Sequence, residues 1–247
     1  MKADPTDQLA LLDMQGIDVA LAQLSHRRAN LPQIARLDQL RTERAEVDAR
    51  RVQAQTRVSD LTADQEQADK EVANVRARRD RDQQRLDSGQ VTNPKDLQSL
   101  QHELVALDRR IGSLEDAELE VMEELETAQA ELDAATGDVA ELDARITEET
   151  TELDKAASAI DADLAERRTE RDATAQRVSD PLITLYDKVR AQHGGVGAAA
   201  LRHKRCEGCR LEINGADLRE IAATPDDEVL RCPECNRILI RTEDSDL

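Results

Sequence analysis

Four cysteines form the part of the chain whose residue types and spacing most clearly dictate a chemistry. They make two Cys-x-x-Cys pairs, Cys206 with Cys209 and Cys232 with Cys235, and the chain has no other cysteine. Each pair places two sulfurs on one side of a tight turn, and two such turns complete a tetrahedral set of four thiolates. The pattern predicts one structural zinc ion (Zn2+) bound by all four cysteines, with no open coordination position for catalysis. Gly208 and Asn236 are expected to supply unusual backbone angles at the two turns.

Three other uses of four cysteines remain open at this point. A redox dithiol usually opens a helix in a strand-helix-strand unit, and no such unit is apparent here. Disulfides need an oxidising compartment, whereas residues 1–5 contain no apolar signal segment. A four-thiolate iron site normally lies in an apolar shell, and no aromatic residue follows Cys206. Structural zinc is therefore the favoured interpretation.

The rest of the chain has the composition of a coiled coil. Tyr186 is the only aromatic residue, and 35% of the 247 residues are charged. Such a chain cannot fill a thick core, but it can join two helices along a narrow apolar seam. Leucine, isoleucine, valine and alanine recur in heptads between residues 97 and 153, and more irregularly between residues 37 and 86. No apolar run is long enough to span a membrane, so we expect a soluble protein. Because the N-terminus shows no signal peptide, we expect it to be cytoplasmic.

Three breaker sites divide this helical sequence. Asn30-Leu31-Pro32 interrupts the first apolar stripe, residues 88–94 form the only cluster of breakers between the heptad segments, and Asp180-Pro181 ends the second arm. We therefore predict a mainly α fold, with a long antiparallel helical hairpin at 1–180 whose tip lies near 88–94, and a short helix, glycine hinge and small β zinc ribbon at 181–247. Pairing of two separate helices with other copies of the chain is the alternative.

The ribbon segment is expected to hold short strands around the metal. We predict strands at residues 198–201 and 211–213, a helical turn at residues 216–222, and a hinge at Gly194, Gly195 and Gly197. Basic residues surround the first cysteine pair and are candidate nucleic-acid contacts: Arg202, Lys204, Arg205 and Arg210. The same cations can instead offset the charge of a zinc-thiolate centre.

Charge is distributed unevenly between the two arms. Residues 33–87 carry 12 basic and 12 acidic residues, whereas residues 97–153 carry 3 basic and 17 acidic ones. An acidic surface repels phosphates and suits basic protein partners, although it also suits a merely solvated helix face. Four acidic residues are candidate contacts for protein docking: Glu118, Glu120, Glu123 and Glu124.

Several motifs together resemble the bacterial C4-type zinc ribbon family with an N-terminal coiled coil. They are Asn-Pro-Lys-Asp-Leu-Gln-Ser-Leu at residues 93–100, Leu185-Tyr186 before the glycines, and Cys-Pro-x-Cys-x-Arg-Ile-Leu at residues 232–239. The resemblance implies that the protein is an adaptor that contacts RNA-polymerase sigma factors or secretion and flagellar components. In some members of the family it also implies contact with RNA. Asn236 stands where the family usually has glycine, and Ile240-Arg241 where an aromatic residue is common.

Two functions follow as hypotheses. The first is a non-enzymatic adaptor or chaperone-like protein whose coiled coil and ribbon dock protein partners. The second is a zinc ribbon that binds RNA or DNA, although the aromatic residues on which bases stack are missing. The four histidines are scattered, and no nucleophile-base pair or phosphate-binding glycine loop is present, so we expect neither catalysis nor a small-molecule substrate.

Overall fold

The computed structural model describes residues 1–247 and contains five α-helices and a four-stranded sheet. The helices are α1 (Pro5–Ala29), α2 (Pro32–Asp87), α3 (Pro94–Ala175), α4 (Asp180–Gln192) and α5 (Gly215–Ala223). The strands are β1 (Ala198–Arg202), β2 (Arg205–Cys206), β3 (Leu230–Arg231) and β4 (Ile238–Arg241), and a short 3-10 helix, η1, covers Glu243–Ser245. The chain therefore has the predicted class, a long helical hairpin followed by a small region of strands. None of the helices holds an apolar stretch long enough to cross a membrane.

The helix boundaries coincide with the breakers identified in the sequence. Asp4 begins α1 by accepting a hydrogen bond from the backbone N–H of Thr6, and a proline occupies the first turn, a favourable N-terminus because proline lacks the N–H that would be unpaired there. The helix ends at Ala29, and α2 starts at Pro32. Residues 88–93 separate α2 from α3, and Gly89 there has a φ of 65°.

Contacts divide the chain into two compact units, one made of Ala35–Thr150 and the other of Met1–Ile34 with Thr151–Leu247. In the first unit α2 and α3 pack antiparallel through a thin seam, with Leu40, Val47, Val139 and Leu142 buried together. Arginines beside this seam pair with acids on the facing helix, as Arg44 does with Asp143 at 3.0 Å. Such exposed pairs contribute about 0–1 kcal/mol each, so the seam itself supplies most of the stability.

In the second unit α1 packs against the last third of α3. Leu31, Ala157, Ile160 and Leu164 form its buried seam. Arg28 lies 3.2 Å from Asp161, so α1 has its partner within the same chain.

The sheet of the second unit has the order β2-β1-β4-β3, with β1 and β4 parallel and the other pairs antiparallel. Along each strand, successive side chains point to opposite faces of the sheet. Ile238 and Ile240 pack against α1 and α4, whereas Leu201 and Leu239 pack with α5 and the cysteines. The sheet thus connects the base of the helices on one face to the metal centre on the other.

One local prediction was wrong. Leu211–Ile213 is not a strand, because only Glu212 forms an isolated bridge, with Arg205. Residues 211–213 instead lie beside the turn that precedes β2 without forming a strand, and the Ile213 N–H donates to the Lys204 carbonyl. The predicted hinge glycines also have a packing role. A Cβ at Gly197 would lie 2.8 Å from the Tyr186 carbonyl oxygen, so Gly197 permits a close contact with α4.

Candidate metal centre

The two Cys-x-x-Cys turns have the same backbone geometry. In the first turn the Arg210 N–H donates to the Cys206 carbonyl at 2.7 Å, and in the second the Asn236 N–H donates to the Cys232 carbonyl at 2.8 Å. The residue after each pair is left-handed, with φ values of 64° at Arg210 and 57° at Asn236. The prediction for Asn236 is confirmed. The prediction for Gly208 is wrong, because Arg210 adopts the left-handed conformation of the first turn.

Gly208 is required for close packing instead. A Cβ at this position would lie 2.8 Å from Cδ of Arg237 and 3.0 Å from Cβ of Ala199. The first turn therefore lies directly on β1 and on the Arg237 side chain, and any larger residue would push it away from the sheet.

The four cysteine sulfurs lie within 4.8 Å of one another. The Sγ atoms of Cys206 and Cys235 are 3.9 Å apart, as are those of Cys209 and Cys232. Tetrahedral zinc with Zn–S bonds of about 2.3 Å requires sulfurs about 3.8 Å apart, so the cluster has the size of one zinc ion. A disulfide needs about 2.05 Å, and no cysteine pair is bonded. Cys206 and Cys232 are buried, and Cys209 and Cys235 are half-buried.

Burial and nearby hydrogen-bond donors have opposite effects on the pKa values of the cysteine thiols. Burial raises the pKa of Cys206 and Cys232 above the ordinary value of a thiol. Burial has the same tendency at Cys235, but hydrogen bonds from the backbone and side chain of Arg237 lower the pKa of Cys235 to about 7. The Arg237 side chain also donates to the carbonyls of Val196, at 3.1 Å, and His193, at 3.2 Å. Arg237 therefore offsets thiolate charge and links the centre to the end of α4.

A buried polar cluster, missed in the sequence analysis, joins the helices to β1. Asp18 is 1% exposed and lies 2.8 Å from Nε of Arg171, 2.8 Å from the Tyr186 hydroxyl and 3.2 Å from Nε of Arg190. The hydroxyl of Tyr186 donates to the Asp18 carboxylate, and burial together with this bond raises the pKa of Tyr186. We call Gln15, Asp18, Arg171, Tyr186 and Arg190 the Asp18 cluster.

Gln15 extends the Asp18 cluster to the start of β1. Its side-chain oxygen accepts from the N–H of Gly197 at 2.7 Å, and its amide nitrogen donates to the Gly195 carbonyl at 3.0 Å. The glycine segment is thereby fastened to α1. The only sequence signal for this cluster is that Gln15 and Asp18 fall among the apolar residues Met14 and Ile17 on the buried face of α1.

The candidate nucleic-acid contacts lie around the turn from β1 to β2, where His203 and Lys204 have φ values of 45° and 63°. Arg202 lies 3.8 Å from Asp244, and Arg205 lies 3.9 Å from Glu212. His203 Nδ1 lies 3.0 Å from Asp246. Lys204 and Arg210 are exposed and form no ion pair.

The four candidate docking acids lie on α3 but are not equivalent. Glu120 and Glu123 are exposed and form no ion pair, whereas Glu124 lies 3.4 Å from Arg57. Glu118 is half-buried, and a hydrogen bond to Asp69 on α2 raises its pKa. Two large apolar side chains are exposed within the same stretch, Leu119 at 57% and Met122 at 36%.

These features define a class of protein, a helical hairpin that carries a four-cysteine zinc ribbon. The model of the CT398-like coiled coil hairpin domain matches residues 14–194, and the model of the C4-type zinc ribbon domain matches residues 205–239. The chain belongs to the CT398-like coiled-coil hairpin family, and its four-cysteine cluster is a structural zinc site.

Known proteins similar to this chain come from bacteria. An uncharacterized protein of Mycobacterium tuberculosis H37Rv is 38% identical, over 98% of both chains. A solved structure from Mycobacterium smegmatis is also 38% identical and covers 98% of this chain and 100% of its own, with a TM-score of 0.85. The structure of CT398 from Chlamydia trachomatis is 12% identical, covers 96% of this chain and 98% of its own, and has a TM-score of 0.69, which supports the fold alone.

Proposed function

We propose that the protein is a non-enzymatic adaptor whose hairpin and zinc ribbon dock protein partners. The resemblance described above suggests a sigma factor or a secretion component as the kind of partner. The observation that carries the proposal is an exposed apolar pair on α3, Leu119 and Met122, among unpaired acids. We call Glu118, Leu119, Glu120, Met122, Glu123 and Glu124 the α3 patch.

The α3 patch has the chemistry of a docking surface for a basic, amphipathic segment. Leu119 and Met122 are three residues apart, so their side chains are neighbours on the helix surface. Glu120 and Glu123 beside them leave uncompensated negative charge. Apolar contact can supply affinity, while the acidic surroundings accelerate the approach of a basic partner and disfavour acidic ones.

A nucleic-acid role for the ribbon has weaker support. Residues 198–247 carry 8 Lys and Arg against 11 Asp and Glu, and four thiolates around Zn²⁺ add a formal charge of −2. Nucleic-acid affinity depends on unpaired cations that replace counterions around phosphates. Arg202 and Arg205 already lie near acids of the same chain, which leaves Lys204 and Arg210 as the unpaired cations of the proposed set.

Pull-down from a bacterial extract with the full-length, zinc-loaded protein tests the adaptor proposal. The test variant replaces four acids of the α3 patch with glutamine: Glu118, Glu120, Glu123 and Glu124. The matched variant replaces four exposed acids elsewhere on α3 with glutamine: Glu131, Glu141, Glu148 and Glu166. We expect the first variant to lose most of the protein that the wild type captures specifically, and the second variant to retain it. Helix propensity and net charge change equally in the two variants, so a difference in capture would reflect the position of the acids.

Two outcomes would contradict the proposal. One is equal loss of the captured protein with both variants, which would indicate a nonspecific effect of net charge. The other is tight, sequence-selective RNA binding that is abolished by neutralising Arg202, Lys204 and Arg205 while protein capture is unaffected. The second result would make nucleic-acid binding the primary function.

A further inference from the structure

The outer edge of the sheet is only partly covered. β3 is the edge strand, and the N-terminal residues pair with the segment that leads into it. The Val229 N–H donates to the Met1 carbonyl at 2.9 Å, and the Ala3 N–H donates to the Asp227 carbonyl at 2.8 Å. This edge therefore already accepts an added strand from the chain itself.

The edge is open beyond Val229. Leu230 is registered with Leu239 of β4, and the Cys232 N–H donates to the Arg237 carbonyl, so residues 230 and 232 direct their backbone groups toward β4. Backbone groups alternate in direction along an antiparallel strand. The N–H and C=O of Arg231 consequently point away from β4, as the Val229 N–H does, and no residue of the described chain pairs with Arg231 on that side.

A groove of about 420 Å³ runs beside this open edge, between α5 and β3. Ile221 and Leu230 contribute apolar surface to it, and Asp217, Glu220 and Glu228 make it acidic. The three carboxylates belong to both sides of the groove, because Asp217 and Glu220 lie on α5 and Glu228 precedes β3. A segment lying in the groove would thus meet negative charge on both sides.

We infer that the groove between α5 and β3 binds an extended, basic segment of a partner protein, which adds a short strand at Arg231. The segment's backbone pairs with Arg231, and its cationic side chains lie near Glu220 and Glu228. Strand addition supplies backbone hydrogen bonds, and pockets beside the edge supply side-chain selectivity. This inference rests on the proposed adaptor function and assigns the ribbon a docking site of its own, separate from the α3 patch.

Fluorescence anisotropy with the full-length, zinc-loaded protein tests the inference. The probe is a labelled eight-residue peptide of alternating lysine and valine, and the first control is the same peptide with alternate amides N-methylated. We expect the N-methylated peptide to bind at least about 10-fold more weakly, because it keeps its charge but cannot pair as a strand. Equal binding of the two peptides would overturn the inference. This comparison needs no protein variant.

Charge reversal locates the site. The double variant Glu220→Lys/Glu228→Lys is expected to weaken binding of the unmethylated peptide at least about 10-fold, while Glu141→Lys/Glu148→Lys, with the same change in net charge, is expected to stay within about twofold. Equal weakening by both variants would overturn the inference. If the peptide fails to bind but the α3 patch still captures a protein from the extract, only the ribbon site is refuted. If the peptide binds but the α3 patch captures no protein, only the hairpin part of the adaptor proposal is refuted.

Discussion

Replacing Asp18 with asparagine tests whether the Asp18 cluster holds α1, α3 and α4 together. The change preserves the shape of the side chain but removes the charge that both Arg171, at 2.8 Å, and Arg190, at 3.2 Å, face. Arg171 keeps Asp187, at 3.0 Å, whereas Arg190 loses its only ion-pair partner. Breaking a buried pair costs about 3–5 kcal/mol. We expect about 3 kcal/mol, the low end, because the arginine side chains remain 22% and 33% exposed.

Urea unfolding followed by helix circular dichroism, together with the fluorescence of Tyr186 as the only aromatic residue, measures this loss. Asp13→Asn is the matched control, because Asp13 lies on the same helix, is 64% exposed and is 4.0 Å from Arg177. The control is expected to cost less than about 1 kcal/mol. Unfolding free energies for the two variants that agree within about 0.5 kcal/mol would refute the role assigned to the Asp18 cluster.

Three further predictions concern the metal, the packing and the C-terminal turn. Cys206→Ser should abolish binding of the one zinc measured per chain by elemental analysis and unfold the ribbon, while most helicity persists; a variant that keeps its full zinc content would contradict this. Gly197→Ala should lower the free energy of unfolding by about 1–3 kcal/mol, because the added Cβ clashes with α4. Gly137→Ala, where a Cβ meets nothing within 4 Å, should instead raise it by about 0.5–1 kcal/mol. Equal changes in the melting temperature of the two variants would refute the packing argument. The hydrogen bond to Asp246 raises the pKa of His203, so this pair stabilises the fold below about pH 6.5, and the stabilisation is lost as the pH rises through the raised pKa. Asp246→Asn should lower the pKa of His203 measured by NMR titration. An unchanged pKa would contradict the contact.

Residue periodicity and breakers predicted the hairpin well. Heptad spacing depends only on which residues can lie along a seam, and the prolines at residues 32 and 94 begin helices where the missing N–H costs nothing. The four zinc ligands were equally predictable, since two Cys-x-x-Cys turns restrict where the sulfurs can point.

The remaining features depend on contacts between residues far apart in the sequence. Nothing near Asp18 indicates that Tyr186, 168 residues later, donates to it. The left-handed conformation of Arg210 follows from its hydrogen bond to Cys206 and not from its own residue type, which rarely adopts that conformation. The neutralisation of Arg202 by Asp244 likewise needs the fold that brings η1 beside the turn from β1 to β2.

The proposal that this protein is an adaptor is tested most directly by photo-crosslinking in bacterial cells. A photoreactive residue replaces Leu119 within the α3 patch or, as the matched control, Val105, which is 51% exposed on the same helix; a third variant carries it at Lys204. We predict protease-sensitive, nuclease-resistant adducts with a basic protein at position 119, and few at position 105. Nuclease-sensitive adducts at position 204, with no protein adduct at position 119 above the control, would contradict the proposal.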